Sequence, residues 1–259
     1  VARWPAFRGQ TVTEAKVQAW LDQFPDAPSQ RAMFCILQHV HFYSQSFMRK
    51  KMREVDSIIR EAAQDRVGSR QLTAEELVVS YLDGPGKSGA ATARLLCEER
   101  GLPASVIVER AMLGQRLSDD KVRVLVLTDD FVGTGKSACS ALQALHDDIA
   151  PEVRARDVRT LFVAVVGHVS GMEAVRRLAA DLQFGLQVHC CESLDESDCV
   201  FSEKSDTFPS PAQRLLAKEL AQQWGARLQK QTPLGFGDLG LAVVFERSCP
   251  NNSLPILHA

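Results

Sequence analysis

The chain has 259 residues, 45% of them hydrophobic, and a formal net charge of −2 at pH 7, so it can bury a large core and is neither disordered nor strongly charged. No apolar run approaches the roughly 20 residues that a membrane-spanning helix needs, so we expect no membrane association. Its seven cysteines are an odd number without CxxC spacing, which favours a reducing cytoplasm over a disulfide framework.

The first 75 residues have a helical pattern. Apolar residues recur at three- and four-residue spacing over Thr13–Phe24, Ser29–Tyr43 and Ser44–Gln64. We therefore predict a helical N-terminal region over residues 1–75 and a separate domain over residues 76–259.

The N-terminal region is mildly basic, with 11 Lys and Arg against 8 Asp and Glu, whereas the remainder has 19 against 24. Its third helix carries Arg49, Lys50, Lys51 and Arg53. A basic helix after two short ones is typical of a winged-helix-like nucleic-acid reader, but also of a helix whose solvated face is charged. Residues 1–75 are therefore a candidate surface for a partner protein or a nucleic acid.

From residue 76 onward, strand patterns alternate with helix patterns. The predicted strands are Leu77–Leu82, Ser105–Val108, Val122–Leu127, Leu161–Val166 and Leu186–Cys190. This alternation predicts an α/β fold, a doubly wound and mostly parallel sheet whose ligands bind at the carboxyl ends of its strands.

The first strand is followed by the tight loop Gly84–Gly89, which opens a predicted helix from about Ala90 to Arg100. Gly101 and Pro103 end that helix in the expected way. A glycine-rich loop with a lysine and a serine is a weak signal of phosphate binding by itself.

A stronger signal follows the third strand. Asp129 and Asp130 stand directly after an apolar run, and the next residues turn through Gly133 and Gly135 into a helix that begins near Lys136. Free backbone N–H groups at a helix N-terminus attract phosphate. Acids beside such a loop suit a ligand with both hydroxyl and phosphate groups, such as a ribose 5-phosphate.

Two other interpretations compete for this segment. Gly135-Lys136-Ser137 matches the end of the Walker A pattern of nucleoside-triphosphate-binding proteins, although the first glycine of that pattern would stand where Asp130 is. A carboxylate at that position would repel the phosphates. The segment could also be a glycine turn that only connects a strand to a helix.

The run Asp129-Asp130-x-x-x-Thr134-Gly135-x-Ser137 resembles the phosphoribosyl pyrophosphate motif of type I phosphoribosyltransferases. The resemblance implies that Asp129 and Asp130 are the catalytic acids that hold the ribose hydroxyls, and that a loop binds the 5-phosphate. The residues of that loop are Thr134, Gly135, Lys136 and Ser137, of which Lys136 departs from the small residue usual in the family. It also implies that the earlier loop binds pyrophosphate through Gly86, Lys87, Ser88 and Gly89. The implied cofactor is Mg²⁺, bridging oxygens of the substrate rather than held by protein ligands.

The polar segment from Glu109 to Asp120 lies where type I enzymes have a mobile lid. Arg110, Gln115 and Arg116 are therefore lid candidates, with a solvated loop as the alternative.

The end of the chain points to a particular group of relatives. Pro233–Gly237 and Pro250–Leu257 are similar to the terminal blocks of phosphoribosyltransferase-like proteins from bacterial anti-phage loci, including retron loci, although His258 stands where that group usually has tryptophan. Asn251 and Asn252 offer amide groups that suit reading the edge of a base. They could equally form an Asx turn after Pro250.

These observations leave several functions open. The first is an enzyme acting at the ribose anomeric carbon of phosphoribosyl pyrophosphate or a nucleotide, as a transferase or a glycosidic-bond hydrolase, in anti-phage defence. The others are a non-catalytic nucleotide-binding regulator and an NTP-binding protein of the Walker A kind. Self-association as a homo-oligomer is also open.

Overall fold

The computed structural model describes residues 6–68, 70–182 and 184–258 of the chain. Val1–Pro5, which the predicted N-terminal region includes, lie outside the described residues, as do Ser69, Gln183 and Ala259. The chain forms two compact units: Ser46–Ser193 is one, and Val1–Gln45 together with Leu194–Ala259 is the other.

The elements alternate along the chain. In order they are α1 (Glu14–Leu21), α2 (Ala27–Gln38), β1 (His41–Tyr43), α3 (Gln45–Val67), β2 (Leu77–Tyr81), α4 (Ser88–Arg100), α5 (Leu113–Leu117), β3 (Val124–Val132), α6 (Lys136–Arg156), β4 (Arg159–His168), α7 (Val169–Asp181), β5 (Gln187–Leu194), α8 (Pro211–Leu228) and β6 (Val243–Phe245). Short 3-10 turns at Ala104–Val106, Arg110–Met112, Glu196–Asp198, Phe236–Asp238 and Pro255–Leu257 join them.

A four-stranded sheet in the order β2-β3-β4-β5 forms the centre of the unit Ser46–Ser193. β3 pairs in parallel with both β2 and β4, so that Val126 lies opposite Val79, and Phe162 lies opposite Leu127. These strands are buried on both faces, which explains their continuous apolar sequences. The predicted α/β fold class is confirmed.

The prediction of a strand at Ser105–Val108 is wrong in its form. Ala104–Val106 is a 3-10 turn, and only a single parallel bridge joins Ile107 to Val79. The Val108 N–H donates to the Val79 carbonyl at 2.9 Å, and the Ser80 hydroxyl donates to the Val108 carbonyl at 2.7 Å. Because Val79 already pairs with β3 on one side, this segment lies on its other side. The chain therefore passes from β2 to a neighbour on one side and then to β3 on the other side. Such a switch point opens a crevice at the carboxyl ends of the strands.

Helices cover both faces of this sheet. Val78, Leu125 and Phe162 share one apolar cluster with residues of α5, α6 and α7. α4 contacts β2 and β3, and its Gly89 lies against Tyr81, whose side chain points to the opposite face from that of Val78. The sheet is therefore doubly wound.

α3 belongs to the sheet-containing unit and buries Met52, Val55 and Ile59. Two residues of its basic cluster, Arg49 and Lys51, form ion pairs within this unit. Lys51 is buried, bonds to Glu54 at 3.1 Å and Glu192 at 2.9 Å, and also donates to the Cys191 carbonyl.

Arg49 pairs with Glu98 and Glu99 at the end of α4, whereas Lys50 and Arg53 are exposed. The basic cluster is therefore divided between ion pairs inside the unit and two side chains in solvent. α3 therefore belongs to the sheet-containing unit from Ser46 onward, and partner binding by its exposed residues stays a prediction.

The other unit joins the two ends of the chain. β1 pairs in parallel with β6, with His41 opposite Val243 and Tyr43 opposite Phe245, and α2 packs against α8. The predicted helix Ser29–Tyr43 therefore stops early, because its last residues form a strand with a partner about 200 residues later. The predicted domain boundary between residues 75 and 76 falls inside the sheet-containing unit, and the chain passes between the units at residues 45–46 and 193–194.

Over the described residues, no helix combines the length and the apolar character that crossing a membrane requires. All seven cysteines are free thiols.

Candidate active site

The acid pair lies on the last residues of a strand, not in the loop after it. β3 continues to Val132, five residues beyond the predicted end at Leu127. Asp129 lies opposite Ala164 of β4, and Asp130 is only 9% exposed. Two adjacent carboxylates are thus held rigidly at the carboxyl end of a central strand.

The electrostatics of this pair are unfavourable for two full negative charges. Burial raises the pKa of Asp129 well above its ordinary value, and the neighbouring Asp130 raises it further. Burial also raises the pKa of Asp130, although a hydrogen bond from Ser88 opposes the shift. Hydroxyl donors or a cation on a ligand would stabilise the charged forms of both groups.

The predicted phosphate loop is the short connection from β3 to α6. Gly135 has a φ of 76°, which only glycine adopts readily, and it caps a helix of 21 residues. The Lys136 N–H lies 3.5 Å from the Thr134 hydroxyl, and both Lys136 and Ser137 are exposed. The first N–H groups of α6 have no partners within the helix, and they open a position for an anion.

Close backbone contacts with Gly171 also shape this loop. A β-carbon on Gly171, in the first turn of α7, would lie 2.0 Å from the Gly133 carbonyl oxygen, and one on Gly135 would lie 2.6 Å from the Gly171 carbonyl oxygen. Gly171 was not among the candidate residues predicted from the sequence, although a glycine in the first turn of a helix is itself a signal of close approach.

The predicted pyrophosphate loop precedes α4. Lys87 is the residue before the helix, and its N–H donates to the Gly84 carbonyl at 2.9 Å. Arg94 donates to the Pro85 carbonyl at 3.2 Å, which ties the loop to the helix it opens. Gly86 and Lys87 are exposed, and the helix begins at Ser88, two residues before the predicted start.

The structure brings this loop to the acid pair. The Ser88 hydroxyl donates to the Asp130 carboxylate. The Thr128 hydroxyl, one residue before the pair, donates to the carbonyls of Gly89 at 3.3 Å and Ser80 at 3.2 Å. A β-carbon on Gly89 would lie 2.7 Å from Asp83 Oδ1 and 3.2 Å from the Thr128 carbonyl oxygen, so a larger residue there would displace the Asp83 carboxylate.

Asp83 is a third carboxylate of the site that the sequence analysis did not single out. The Gly89 N–H donates to its Oδ2 at 3.5 Å. Partial burial raises the pKa of Asp83, and so does the charge of Asp130. The signal was present in the sequence, because Asp83 ends an apolar strand just as Asp129 does.

The lid candidates lie in a segment that is anchored to the rest of the unit. Arg110 pairs with Asp148 at 2.6 Å, and Arg116 donates to the Glu75 carbonyl at 2.7 Å. Leu113 and Leu117, on either side of Gln115, are fully buried in the cluster beneath α6. In this structure the segment contains a 3-10 turn at Arg110–Met112 and the packed helix α5, and a lid role for it stays a prediction.

Asn251 and Asn252 belong to the unit formed by the two ends of the chain. Asn252 is 5% exposed and its side-chain amide donates to the Phe236 carbonyl at 2.8 Å. The Asn251 carbonyl accepts from the Phe236 N–H, and the Ser253 N–H closes a turn on the Pro250 carbonyl. Asn252 thus supports a turn, and base recognition by this pair stays a prediction.

A family model described as PRTase-CE matches residues 17–259. The match begins in α1, so it includes the predicted N-terminal region from residue 17 onward as well as residues 76–259. No curated protein matches the sequence significantly.

Three solved structures show weak similarity. Orotate phosphoribosyltransferase from Aeropyrum pernix is 16% identical, with 53% of this chain and 69% of that chain covered and a TM-score of 0.29. Helicobacter pylori xanthine-guanine-hypoxanthine phosphoribosyltransferase is 13% identical, with coverage of 60% and 89% and a TM-score of 0.35. The AQ2163 protein from Aquifex aeolicus is 10% identical, with coverage of 71% and 86% and a TM-score of 0.36. These similarities are too weak to bear on function.

Proposed function

Because the chain belongs to the PRTase-CE family, we propose that it is a phosphoribosyltransferase-like enzyme acting at the ribose anomeric carbon of phosphoribosyl pyrophosphate or a nucleotide. The observation that carries this proposal is that two loops adjoin one acid pair. Ser88 of the first loop bonds to Asp130, and the second loop leads from the same strand into α6. A sugar with hydroxyl groups and a 5-phosphate matches this arrangement, because its hydroxyls can bind to the acids and its phosphate can bind to the second loop.

In this proposal each group of the site has one task. Asp129 and Asp130 accept hydrogen bonds from the ribose hydroxyls, and the N–H groups from Gly135 to Ser137 hold the 5-phosphate. Departure of the group at the anomeric carbon leaves positive charge on the ring, which the buried carboxylates stabilise. The rigid strand and helix hold the sugar in one orientation, which lowers the entropic cost of reaching that state.

The site also fits a substrate-bound Mg²⁺. Burial and the charge of Asp130 both raise the pKa of Asp129, so a cation brought by the substrate would relieve the repulsion between these two carboxylates. When bound, the ion would neutralise phosphate charge and draw the substrate oxygens together, while these carboxylates face it without forming a closed set of protein ligands.

Binding and turnover test the proposal. The wild-type protein should bind phosphoribosyl pyrophosphate or a nucleoside monophosphate in calorimetry, with Mg²⁺ present. Asp129→Asn with Asp130→Asn should abolish binding, because the neutral amides cannot replace two charged acceptors. Asp181→Asn, the same chemical change at the exposed end of α7, is the matched control. If the double variant binds as the wild type does, the acids are structural and the proposal fails.

We further propose that this enzyme serves as an effector in bacterial anti-phage defence. The supporting observation is the similarity of Pro233–Gly237 and Pro250–Leu257 to the terminal blocks of such proteins. An effector that consumed nucleotides would need to be restrained by a partner, and Lys50 and Arg53 form an exposed basic contact surface on α3.

Expression in bacteria tests this role. The wild-type chain, with its neighbouring genes, should slow growth or deplete nucleotides during phage infection, and the Asp129→Asn, Asp130→Asn variant should not. Equal phage sensitivity and equal nucleotide pools for the two would contradict the role in defence while leaving the enzymatic proposal intact.

A further inference from the structure

Asp83 lies near the acid pair, in the connection between β2 and α4. Its carboxylate lies over Gly89, accepting from that N–H at 3.5 Å, and the Gly89 carbonyl accepts in turn from Thr128, the residue before Asp129. The adjacent Ser88 bonds to Asp130. The first loop therefore holds a third carboxylate next to the two that bind the ribose hydroxyls in the proposed function.

The stereochemistry of ribose determines which face of the sugar these carboxylates would occupy. The 2- and 3-hydroxyls of a nucleotide lie on one face of the ring, and its base lies on the other. Carboxylates that accept from those hydroxyls are therefore on the face away from the base. A nucleophile that displaces the base with inversion must approach from this same face, as water does beside the general base of an inverting glycosidase.

The charge of Asp83 favours one nucleophile over another. Pyrophosphate is a polyanion, and the Asp83 carboxylate, which accepts from the Gly89 N–H of the predicted pyrophosphate loop, would repel it in the absence of a cation. Water is neutral and must lose a proton as it attacks, which is what a nearby carboxylate promotes. Asp83 is also exposed enough to reach solvent, so a water molecule can bind to it.

Building on the proposed function, we propose that Asp83 is the general base of a nucleotide hydrolase whose substrate is a nucleoside 5′-phosphate. A water molecule held by Asp83 forms a bond from its oxygen to C1′ while the C1′–N bond to the base breaks. The proton of the water passes to the Asp83 carboxylate, and the base leaves with the bonding electron pair and takes a proton from solvent. Asp83 then returns its proton to solvent, so the products are ribose 5-phosphate and the free base.

Base release from purified full-length protein tests this inference. AMP, GMP, CMP and UMP are each incubated with wild type, Asp83→Asn, Asp83→Ala as a second variant, and Asp181→Asn as the control. Free base is measured by chromatography with and without added pyrophosphate, and nucleotide affinity is measured by calorimetry. Thermal midpoints establish that each variant is folded.

We expect the wild type and Asp181→Asn to release base from at least one nucleotide without pyrophosphate. Asp83→Asn should lower that rate by at least about 100-fold, the lower range for a lost general base, without weakening nucleotide binding. Base release that requires pyrophosphate, an unchanged rate in both Asp83 variants, or wild-type binding without release would each overturn the inference. A wild-type protein that binds neither nucleotides nor phosphoribosyl pyrophosphate would instead overturn the proposed function.

Discussion

Gly171 supports the phosphate loop through its lack of a side chain, since a β-carbon there would lie 2.0 Å from the carbonyl oxygen of Gly133. The first turn of α7 and the loop between β3 and α6 are thus in backbone contact. The conformation of the predicted phosphate loop therefore depends on an element that begins more than 30 residues later in the chain.

The first prediction concerns this contact. Gly171→Ala should displace the loop, weaken binding of a phosphorylated ligand and lower stability by about 1–3 kcal/mol, as overpacking does. Ligand affinity by calorimetry and unfolding by urea measure the two effects.

Gly114→Ala is the matched control for Gly171→Ala. Gly114 also lies in a helix, but an added β-carbon there meets nothing within 4 Å. It should leave binding unchanged and stability equal or slightly higher. Normal binding by Gly171→Ala would show that the loop tolerates a shift of α7.

The second prediction is a pH dependence of stability. The pKa values of Asp129 and Asp130 are raised by burial, so the folded protein binds these protons more tightly than the unfolded chain does. Their contribution to stability is therefore full at pH values below the ordinary aspartate pKa of about 3.9, and it is lost as the pH rises through the folded pKa values.

The double substitution Asp129→Asn with Asp130→Asn should remove this loss of stability at rising pH. At pH 7 the double variant should have a higher thermal midpoint than the wild type, and the difference should shrink towards pH 4. Calorimetric scans across that range measure it. A double variant that is less stable than the wild type at pH 7 would contradict the assigned electrostatics.

The third prediction concerns Glu76, which precedes β2. Hydrogen bonding from Arg70 lowers the pKa of Glu76 to about 2, and the Thr73 N–H and hydroxyl also donate to its carboxylate at 2.9 and 3.0 Å. This carboxylate stabilises the fold above its unfolded pKa, and that stability is lost as the pH falls through about 2.

Glu76→Gln should destabilise the protein by about 1–2 kcal/mol at pH 7, a figure reduced because Arg70 is half exposed. The deficit should narrow below pH 4 in chemical denaturation. The control is Glu75→Gln, since the Glu75 carboxylate forms an exposed pair with Lys121, which is expected to contribute less than about 1 kcal/mol. Equal losses from both changes would mean that Glu76 is no more than a surface charge.

The fourth prediction separates turn formation from base recognition. Asn252→Ala removes a buried amide that donates to the Phe236 carbonyl, so it should lower stability by about 1–2 kcal/mol. Asn251→Ala alters an exposed side chain and should leave stability unchanged. Chemical denaturation of both variants checks this. If Asn251→Ala also leaves nucleotide affinity and base preference unchanged, Asn251 does not read the base.

Several features of this protein followed from its sequence because they depend on local residues. The strands β2, β3 and β4 were predictable, since a strand buried on both faces must be apolar throughout, whereas β5 was predicted from its place in the alternation of strands and helices. The acid pair and the glycine loop were predictable too, because their chemistry resides in neighbouring residues from Asp129 to Ser137.

Other features were decided by contacts between distant parts of the chain. His41–Tyr43 continued a helical pattern but became a strand, because β6 supplied backbone partners that residues near His41 cannot supply. Lys51 had the pattern of a solvated base but lies buried between Glu54 and Glu192. Sequence periodicity reports which side of an element is buried, not which element covers it.

The candidate site shows the same division. The sequence determined its acid pair and loops, whereas only the fold brought Asp83 beside Asp130 and placed Gly171 behind the phosphate loop. The parallel strands β2 and β3 end at the same edge of the sheet, so residues about 50 positions apart become neighbours there. Hydrogen bonds and charge interactions act over a few ångströms, and the tertiary structure alone sets those distances.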